Sequence, residues 1–322
     1  MGEGIAERIA DPSHSIREPI PAEGKLWAGV RHPEPMNLQG DFLLSIDLED
    51  VRDCVPNGHR LPERVPEVTE RVLTLLRDAG VRITFFVTGP VAIRYKTLVS
   101  EIFHEGHELA CHTCAHKALD HYTRVEFEDD LKRNIEVLTA AGATAIVGFR
   151  APTMSMTERT AWVYELLNQQ GISYSSSVLP ASNPLYGWPD FGRSAKVVEG
   201  VLEIPVSVAW VFGMTLPFAS GIYFRALPYP VVRRQFRATI ARGNPVVCYV
   251  HPYDFDQDQE RIMPEGIDDN PLYRFLMFYN RSGALSKLRK LLAEGVCTTT
   301  YREFAARVWA NKKASPNAQV PL

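Results

Sequence analysis

Residues 41–50 read DFLLSIDLED, and this stretch decides the fold. Its first half is almost entirely apolar, which predicts a strand buried on both faces, as in a parallel sheet. Where this strand ends, Asp47, Glu49 and Asp50 place three carboxylates within four residues. Such carboxylates repel one another unless solvent or a cation lies between them. We therefore expect a buried strand that carries a polar site at its carboxyl end.

Outward from this strand, short apolar segments alternate with amphipathic segments of helical length. Strand–helix alternation predicts parallel strands joined by right-handed crossovers. About seven such units in roughly 270 residues favour one distorted (β/α) barrel over two domains. Further strands are predicted at residues 82–88, 108–112, 145–150, 172–178, 197–208, 222–224 and 244–251, and helices at 61–79, 91–105, 123–141, 157–170, 230–241 and 270–294, before a final strand and helix.

The predicted barrel occupies residues 41–310. Residues 1–40 contain five prolines and are expected to form an extended arm, and residues 311–322 a short tail. The start of the chain has no apolar segment typical of a secretory signal, and no stretch approaches about 18 consecutive apolar residues. With an odd number of cysteines, five, these features predict a cytoplasmic protein without a transmembrane segment.

Composition narrows the class of protein further. The chain has 322 residues, of which 45% are hydrophobic and 23% are charged, which excludes a disordered or collagen-like protein. The formal net charge of −3 gives no reason to expect nucleic acid as a partner. Composition does not predict the oligomeric state.

Polar residues follow other predicted strands in the same way. His112 ends the strand at 108–112, Arg150 ends the strand at 145–150, and His251 ends the strand at 244–251. The carboxyl ends of the strands carry the sites of α/β barrels. Each residue alone also fits a structural role, such as a surface ion pair or a backbone hydrogen bond. The hypothesis of a hydrolytic site rests on their coincidence.

The histidines and cysteines near residue 112 need separate interpretations. His116 follows His112 by four residues, and two imidazoles with a carboxylate are typical of a hydrolytic zinc site. Cys111 and Cys114 form one C-x-x-C pair, for which a redox role and a buried structural role both stay open. The remaining histidines of this region are interpreted as structural or solvent-facing: His104, His107 and His121.

Six stretches follow one another along the chain: SIDLEDV, TFFVTG, GHELACHTCAH, GFRAPTMS, GIYFRALPY and YVHPYDFD. These motifs, in this order, resemble the polysaccharide deacetylase family, also called the NodB-homology or carbohydrate esterase family 4 domain. The resemblance is closest to the branch found in exopolysaccharide gene clusters, whose first motif is D-V-E-D. It covers about residues 41–310 and implies a NodB-like barrel and a hydrolase that removes an N-acetyl group with the help of a metal.

The resemblance also implies roles for individual residues. Asp47 would be the general base, Arg150 would orient it, and His251 would be the general acid. His112 and His116 would bind the metal, for which Zn²⁺ is the usual ion of the family. The third ligand stays open between Glu49 and Asp50. The sugar pocket would be shaped by Pro152, Tyr223, Tyr253 and Asp254.

One departure from the family leaves alternatives open. Relatives carry Y-D-S-S after the fifth strand, whereas this chain has Tyr174 followed by three serines, so Ser175 replaces a carboxylate. The expected substrate is an N-acylated sugar, free or linked to a nucleotide or lipid. A hydrolase of another carbon–nitrogen bond, such as an N-formyl sugar or a cyclic amide or imide without metal, is the second hypothesis. A sugar-binding pseudoenzyme is the third.

Overall fold

The computed structural model describes residue 1 and residues 40–263 and 270–314. The predicted arm therefore lies outside the described residues, apart from its two ends. The last helix continues to Ala314, into the range of the predicted tail, and residues 315–322 lie outside the described range. None of the helices in the described part of the chain has the length and apolar character needed to cross a membrane.

The described ranges contain eleven strands and ten α-helices. The strands are β1 (Asp41–Leu48), β2 (Thr84–Val87), β3 (Glu108–Cys111), β4 (Gly148–Phe149), β5 (Tyr174–Ser175), β6 (Lys196–Val198), β7 (Val201–Glu203), β8 (Ala209–Val211), β9 (Met214–Leu216), β10 (Val246–Val250) and β11 (Cys297–Thr298). The helices are α1 (Val65–Ala79), α2 (Gly89–Arg94), α3 (Lys96–His104), α4 (Arg124–Ala140), α5 (Val163–Gln169), α6 (Gly221–Ala226), α7 (Tyr229–Ile240), α8 (Pro271–Phe278), α9 (Arg281–Leu292) and α10 (Tyr301–Ala314).

Nine strands form one sheet in which β1 pairs with three other strands, β2, β10 and β11. The order is β10-β1-β2-β3-β4-β5-β7-β6, with β11 also paired to β1, and β8 and β9 form a separate hairpin. Every pair in the large sheet is parallel except β6 with β7. Within the described residues the two end strands, β10 and β6, are not paired with each other. The fold is therefore a mixed α/β fold with a curled, mostly parallel sheet, which is consistent with the predicted NodB-like class, while the barrel of about seven strands stays a prediction.

The two faces of β1 enter different parts of the core. Phe42, Leu44 and Ile46 pack into the main core, to which helices α1, α3, α4 and α5 contribute buried side chains. Leu43 points the other way, into a second apolar cluster that includes Tyr301 of α10. Side chains on a strand alternate between its two faces. The same alternation places Ser45 and Asp47 on the face of β1 that carries Leu43.

Two of the predicted strands take a different form. The strand predicted at residues 197–208 is a hairpin of β6 and β7, which turns through Glu199 and Gly200, both with positive φ. The strand predicted at residues 222–224 lies in helix α6. Short apolar segments do not distinguish a strand from a buried helix, which explains this second error.

Two of the predicted helices are divided. The helix predicted at residues 270–294 is interrupted at Asn280, whose φ of 53° lies in the left-handed region, and forms α8 and α9. The helix predicted at residues 91–105 is interrupted at Tyr95 and forms α2 and α3. An apolar periodicity can continue across such a break, so the sequence pattern does not reveal it.

A capping box at the start of α4 gives a first test of local stability. The Glu126 amide donates to Thr123 Oγ1 (3.3 Å), and the Thr123 amide donates to Glu126 Oε2 (2.8 Å). We expect Thr123→Ala to lower the free energy of unfolding by about 1 kcal/mol in urea titrations, because these end groups lose their partners. Thr139→Ala, within the same helix, is the control and should change it by less than about 0.5 kcal/mol. Equal effects of the two substitutions would contradict this account.

His107 gives a second test, because it is a buried histidine that must stay neutral. Its side chain is 4% exposed, and Nδ1 accepts a hydrogen bond from the Ile83 amide (3.2 Å). Burial lowers the pKa of His107 from 6.5 to about 4. As the pH falls, the unfolded chain binds a proton at this histidine at a higher pH than the folded chain does. The contribution of neutral His107 to the free energy of unfolding is therefore complete above pH about 6.5 and is lost as the pH falls to about 4.

We therefore expect His107→Gln, which keeps a hydrogen-bond acceptor, to remove this part of the pH dependence. Between pH 7 and 4 the wild-type protein should lose about 3 kcal/mol more of its unfolding free energy than the variant. Urea titrations of both proteins across this pH range measure the difference. Parallel pH profiles for the two proteins would show that His107 titrates normally.

Candidate active site

The carboxyl ends of β10, β1, β3 and β4 meet at one edge of the sheet. Asp47 lies near the end of β1, His112 directly follows β3, Arg150 follows β4, and His251 follows β10. Parallel strands in the order β10-β1-β2-β3-β4 bring these ends together. The fold thus places at one edge residues that are more than 200 positions apart in the sequence.

Glu49, His112 and His116 form a group that fits a metal ion. Their ligand atoms all lie within 4.8 Å of one another. Glu49 Oε2 is 2.5 Å from His116 Nε2 and 3.7 Å from His112 Nε2. Burial alone would raise the pKa of Glu49, but His116 and His112 outweigh it and hold this pKa well below its ordinary value. Two imidazole nitrogens and a carboxylate oxygen are a donor set that suits Zn²⁺.

The tautomer of His112 agrees with a ligand role. Its Nδ1 lies 2.9 Å from the backbone carbonyl oxygen of Arg150. A carbonyl oxygen accepts only, so Nδ1 carries the proton and the lone pair of Nε2 faces Glu49. His116 Nε2 is buried and makes no hydrogen bond of good geometry. Both nitrogens are therefore available to a cation.

Asp50, the other carboxylate left open by the sequence, lies outside this group and is bonded to arginine. Its side chain accepts hydrogen bonds from the Arg52 amide and Arg52 Nε, each at 3.0 Å, and from Arg94 Nη1 at 3.0 Å. It is buried and caps the short 3₁₀ turn at Val51–Cys54. The acceptor sites of Asp50 are therefore occupied by arginine.

Arg150 is completely buried and holds Asp47 in place. Its Nη1 donates to Asp47 Oδ1 and to Ser45 Oγ, each at 2.6 Å. The remaining donors reach the carbonyl oxygen of Ser176 (2.9 Å), Ser176 Oγ (3.0 Å) and the Tyr301 hydroxyl (3.0 Å). Burial opposes the charge, but Asp47 outweighs it and raises the pKa of Arg150. Asp47 is therefore paired with a permanent cation on one oxygen only.

The second oxygen of Asp47 points toward two histidines. Oδ2 lies 4.0 Å from His112 Nε2 and 3.9 Å from His251 Nε2. These distances are longer than hydrogen bonds, and they leave room for a small reacting group. The free carboxylate oxygen therefore lies between the metal-ligand group and a third imidazole.

His251 is oriented by Asp254. Its Nδ1 lies 2.9 Å from Asp254 Oδ2, and Asp254 Oδ1 accepts from Arg225 Nε at 2.7 Å. Burial would raise the pKa of Asp254, but Arg225 and His251 outweigh it and lower this pKa to about 2. Burial would also lower the pKa of His251, and the hydrogen bond to Asp254 reverses this, so the pKa is raised. An ionised Asp254 keeps the proton on Nδ1.

The residues predicted to shape a sugar pocket have different positions. Tyr253 stacks on His251, with ring centroids 4.5 Å apart. Tyr223 lies on α6 instead of a strand and is hydrogen-bonded to Tyr273. Pro152 is buried at the start of a 3₁₀ turn. Asp254 has no exposed surface, and protein groups engage both of its oxygens, which corrects its predicted contact with sugar.

A buried carboxylate, Glu203, lies beside Ser175 on the neighbouring strand β7. Glu203 of β7 is paired with Ser175 across the sheet and is completely buried. It accepts from the amides of Ser177 (2.7 Å) and Val178 (2.9 Å) and from the Tyr164 hydroxyl (3.0 Å). Glu203 is not among the site residues predicted from the sequence. The feature that could have indicated it is one acidic residue within the apolar stretch VLEIPV.

The cysteines contribute no reactive pair. All five are free thiols. Burial raises the pKa of both Cys111 and Cys114, which disfavours the thiolate that a redox motif needs. Neither sulfur belongs to the group formed by Glu49 and the two histidines. The structure thus favours the structural interpretation of the C-x-x-C pair.

Comparison with protein families gives two matches. A model described as polysaccharide deacetylase matches residues 54–172, and a model described as a domain of unknown function, DUF3473, matches residues 176–305. A peptidoglycan-N-acetylglucosamine deacetylase of Bacillus cereus is 29% identical over 86 residues, which are 27% of this chain. The chain spans only 31% of that relative's length.

Comparison with solved structures gives one match that shows the same fold and weaker similarities. A crystal structure described as a polysaccharide deacetylase of Mycobacterium smegmatis has a TM-score of 0.55 and 22% identity, covering 87% of this chain and 95% of the other. A family 4 carbohydrate esterase of Streptomyces lividans has a TM-score of 0.46 and 16% identity, covering 81% and 92%. Residues 54–172 are thus similar to the polysaccharide deacetylase family, and the chain shares its fold with the Mycobacterium protein.

Proposed function

We propose that this protein is a metal-dependent N-deacetylase that removes the acetyl group from an amino sugar or a glycan precursor. One observation carries the proposal: the free oxygen of Asp47 lies 4.0 Å from one imidazole of the metal-ligand group and 3.9 Å from His251. Hydrolysis of an amide needs a base for water, an electrophile for the carbonyl and an acid for nitrogen. These three roles can be filled side by side here.

Glu49, His112 and His116 are the residues that would hold the metal. When bound, a zinc ion polarises the amide carbonyl and lowers the pKa of water toward about 7. Three protein ligands leave a position open, as catalytic zinc sites do. The choice of Glu49 over Asp50 rests on the hydrogen bonds that Arg52 and Arg94 make to Asp50.

Asp47 takes the proton of the attacking water in this mechanism. Arg150 occupies Oδ1, so that Oδ2 is the oxygen left to accept the proton. Because the guanidinium is also fixed by Ser176 and Tyr301, the carboxylate has little freedom to rotate. This rigidity holds the base ready for substrate.

His251 donates a proton to the leaving nitrogen. An amide anion is a very poor leaving group, so the carbon–nitrogen bond breaks only when nitrogen is protonated. Asp254 binds Nδ1 of His251, which leaves Nε2 to carry the transferred proton. The products are acetate and a free amine.

The substrate class follows from the relatives and from the deacetylase chemistry. The Bacillus cereus protein is named for N-acetylglucosamine in peptidoglycan. For this chain we propose an N-acetylated sugar, free or linked to a nucleotide or a lipid. A metal-free hydrolase of cyclic amides or imides stays the alternative, because Ser175 replaces a carboxylate and the loops at 180–220 are unusual; the nearest carboxylate on the paired strand is Glu203.

The metal site can be tested with a pair of neighbouring carboxylates. We expect Glu49→Gln to weaken zinc binding at least about 100-fold, because it removes a charged ligand. Asp50→Asn should keep wild-type zinc affinity within about threefold and lower thermal stability instead, because it breaks buried pairs with arginine. Competition titration against a chelating dye measures affinity, and circular dichroism measures melting. Weaker zinc binding in Asp50→Asn than in Glu49→Gln would reverse the assignment.

The reaction itself can be tested by acetate release from a panel of N-acetylated sugars and nucleotide sugars, with and without Zn²⁺. We expect Asp47→Asn and His251→Gln each to lower kcat by about 100-fold or more, because each removes a proton-transfer group. His121→Gln, an exposed histidine outside the site, should match the wild type. Full activity of Asp47→Asn, or equal activity of the wild type after chelation, would reject the mechanism.

A further inference from the structure

Arg225 is a buried arginine for which the mechanism above has no role. It lies on α6, its side chain has no exposed surface, and its Nε donates to Asp254 Oδ1 at 2.7 Å. Its two terminal nitrogens turn the opposite way, toward the carboxyl end of α8. They donate to the backbone carbonyls of Leu276 (3.4 Å), Met277 (3.1 Å) and Tyr279.

The backbone that carries Arg225 is itself fixed. Lys287 of α9 donates from Nζ to the carbonyls of Phe224 (2.8 Å), Arg225 (2.9 Å) and Leu227 (2.7 Å) at the end of α6. Asn280, between α8 and α9, donates from Nδ2 to the Arg225 carbonyl at 3.0 Å. Both the main chain and the guanidinium of Arg225 are thus tied to the α8–α9 segment.

Helix α8 depends on this connection. Of its eight residues only Met277 is buried, while Leu272 and Phe275 are each 60% exposed. The last carbonyls of a helix have no partner within the helix and need one from elsewhere. A guanidinium offers five N–H groups in a planar fork, so Arg225 can satisfy these carbonyls and bind a carboxylate together, which the single ammonium of lysine cannot.

We propose that Arg225 is a positioning residue for proton transfer. It fixes Asp254, and through Asp254 it fixes the orientation and tautomer of His251. Because its terminal nitrogens bind the carboxyl end of α8, this geometry also depends on that helix end. The proposal rests on the proposed role of His251 as the acid. A role in capping α8 alone is the competing explanation. The two differ in one respect, because only the positioning role acts through Asp254.

A double-mutant cycle, with kcat as the measured quantity, distinguishes the positioning role of Arg225 from a role in capping α8 alone. We expect Arg225→Lys to lower kcat about tenfold with KM changed less than about twofold, since a small misplacement affects the chemical step. In the Asp254→Asn background the same substitution should change kcat by less than about twofold, because the path to His251 is already broken. Equal losses in the two backgrounds would overturn the proposal in favour of a structural role.

The matched control is Arg233→Lys. Arg233 also donates from Nε to a largely buried carboxylate, Glu294, at 2.6 Å, but on α7. This variant should keep wild-type kcat. Arg225→Gln, which keeps a hydrogen-bond donor and removes the charge, is the second variant should Arg225→Lys not fold, and we expect it to lower kcat at least as far.

A measurement on the histidine ring makes the test independent of activity. In NMR spectra of the histidine-labelled protein, the Nδ1–H of His251 should give a downfield signal, identified by its loss in His251→Gln. We expect Arg225→Lys to shift this signal or broaden it, and Arg233→Lys to leave it in place. An unchanged signal in Arg225→Lys overturns the proposal. If the wild type releases no acetate but Arg225→Lys still shifts the His251 signal, the proposed function is rejected and the positioning role stays supported.

Discussion

The buried pair of Arg150 and Asp47 is the interaction on which the site depends. A guanidinium without exposed surface is tolerated only when its charge and its donors are matched, and here Asp47, Ser45, Ser176 and Tyr301 match them. These partners come from β1, the segment after β5, and α10, so one side chain joins distant parts of the sheet. The same pair fixes the carboxylate that we propose as the base.

The acidic end of β1 is stable because each of its three carboxylates has a different partner. Asp47 binds Arg150, Glu49 faces His112 and His116, and Asp50 is held by Arg52 and Arg94. Arginine neutralises two of the three carboxylates permanently. Glu49 instead faces two imidazoles, which is why adjacent, chemically similar residues differ in their surroundings.

The alternating pattern of buried strands and amphipathic helices predicted strand β1, its parallel neighbours and helix α4. The residue types at strand ends pointed to the same edge of the sheet that the structure shows. The sequence did not reveal the α8–α9 break at Asn280 or the helical state of residues 222–224, because apolar periodicity is compatible with both alternatives. The roles of Glu203 and Arg225 were not predicted for another reason. Their partners are set by tertiary contacts, which no local sequence pattern encodes.

The most direct test of this account is the position of a metal ion in crystals of the full chain grown with Zn²⁺, located by anomalous diffraction at the zinc edge. The account predicts one strong peak bounded by Glu49 Oε2, His112 Nε2 and His116 Nε2, with Asp47 still bound to Arg150 and Asp50 to Arg52. Zinc coordinated by Asp50, or an Asp47 that has left Arg150 to become a ligand, would contradict it.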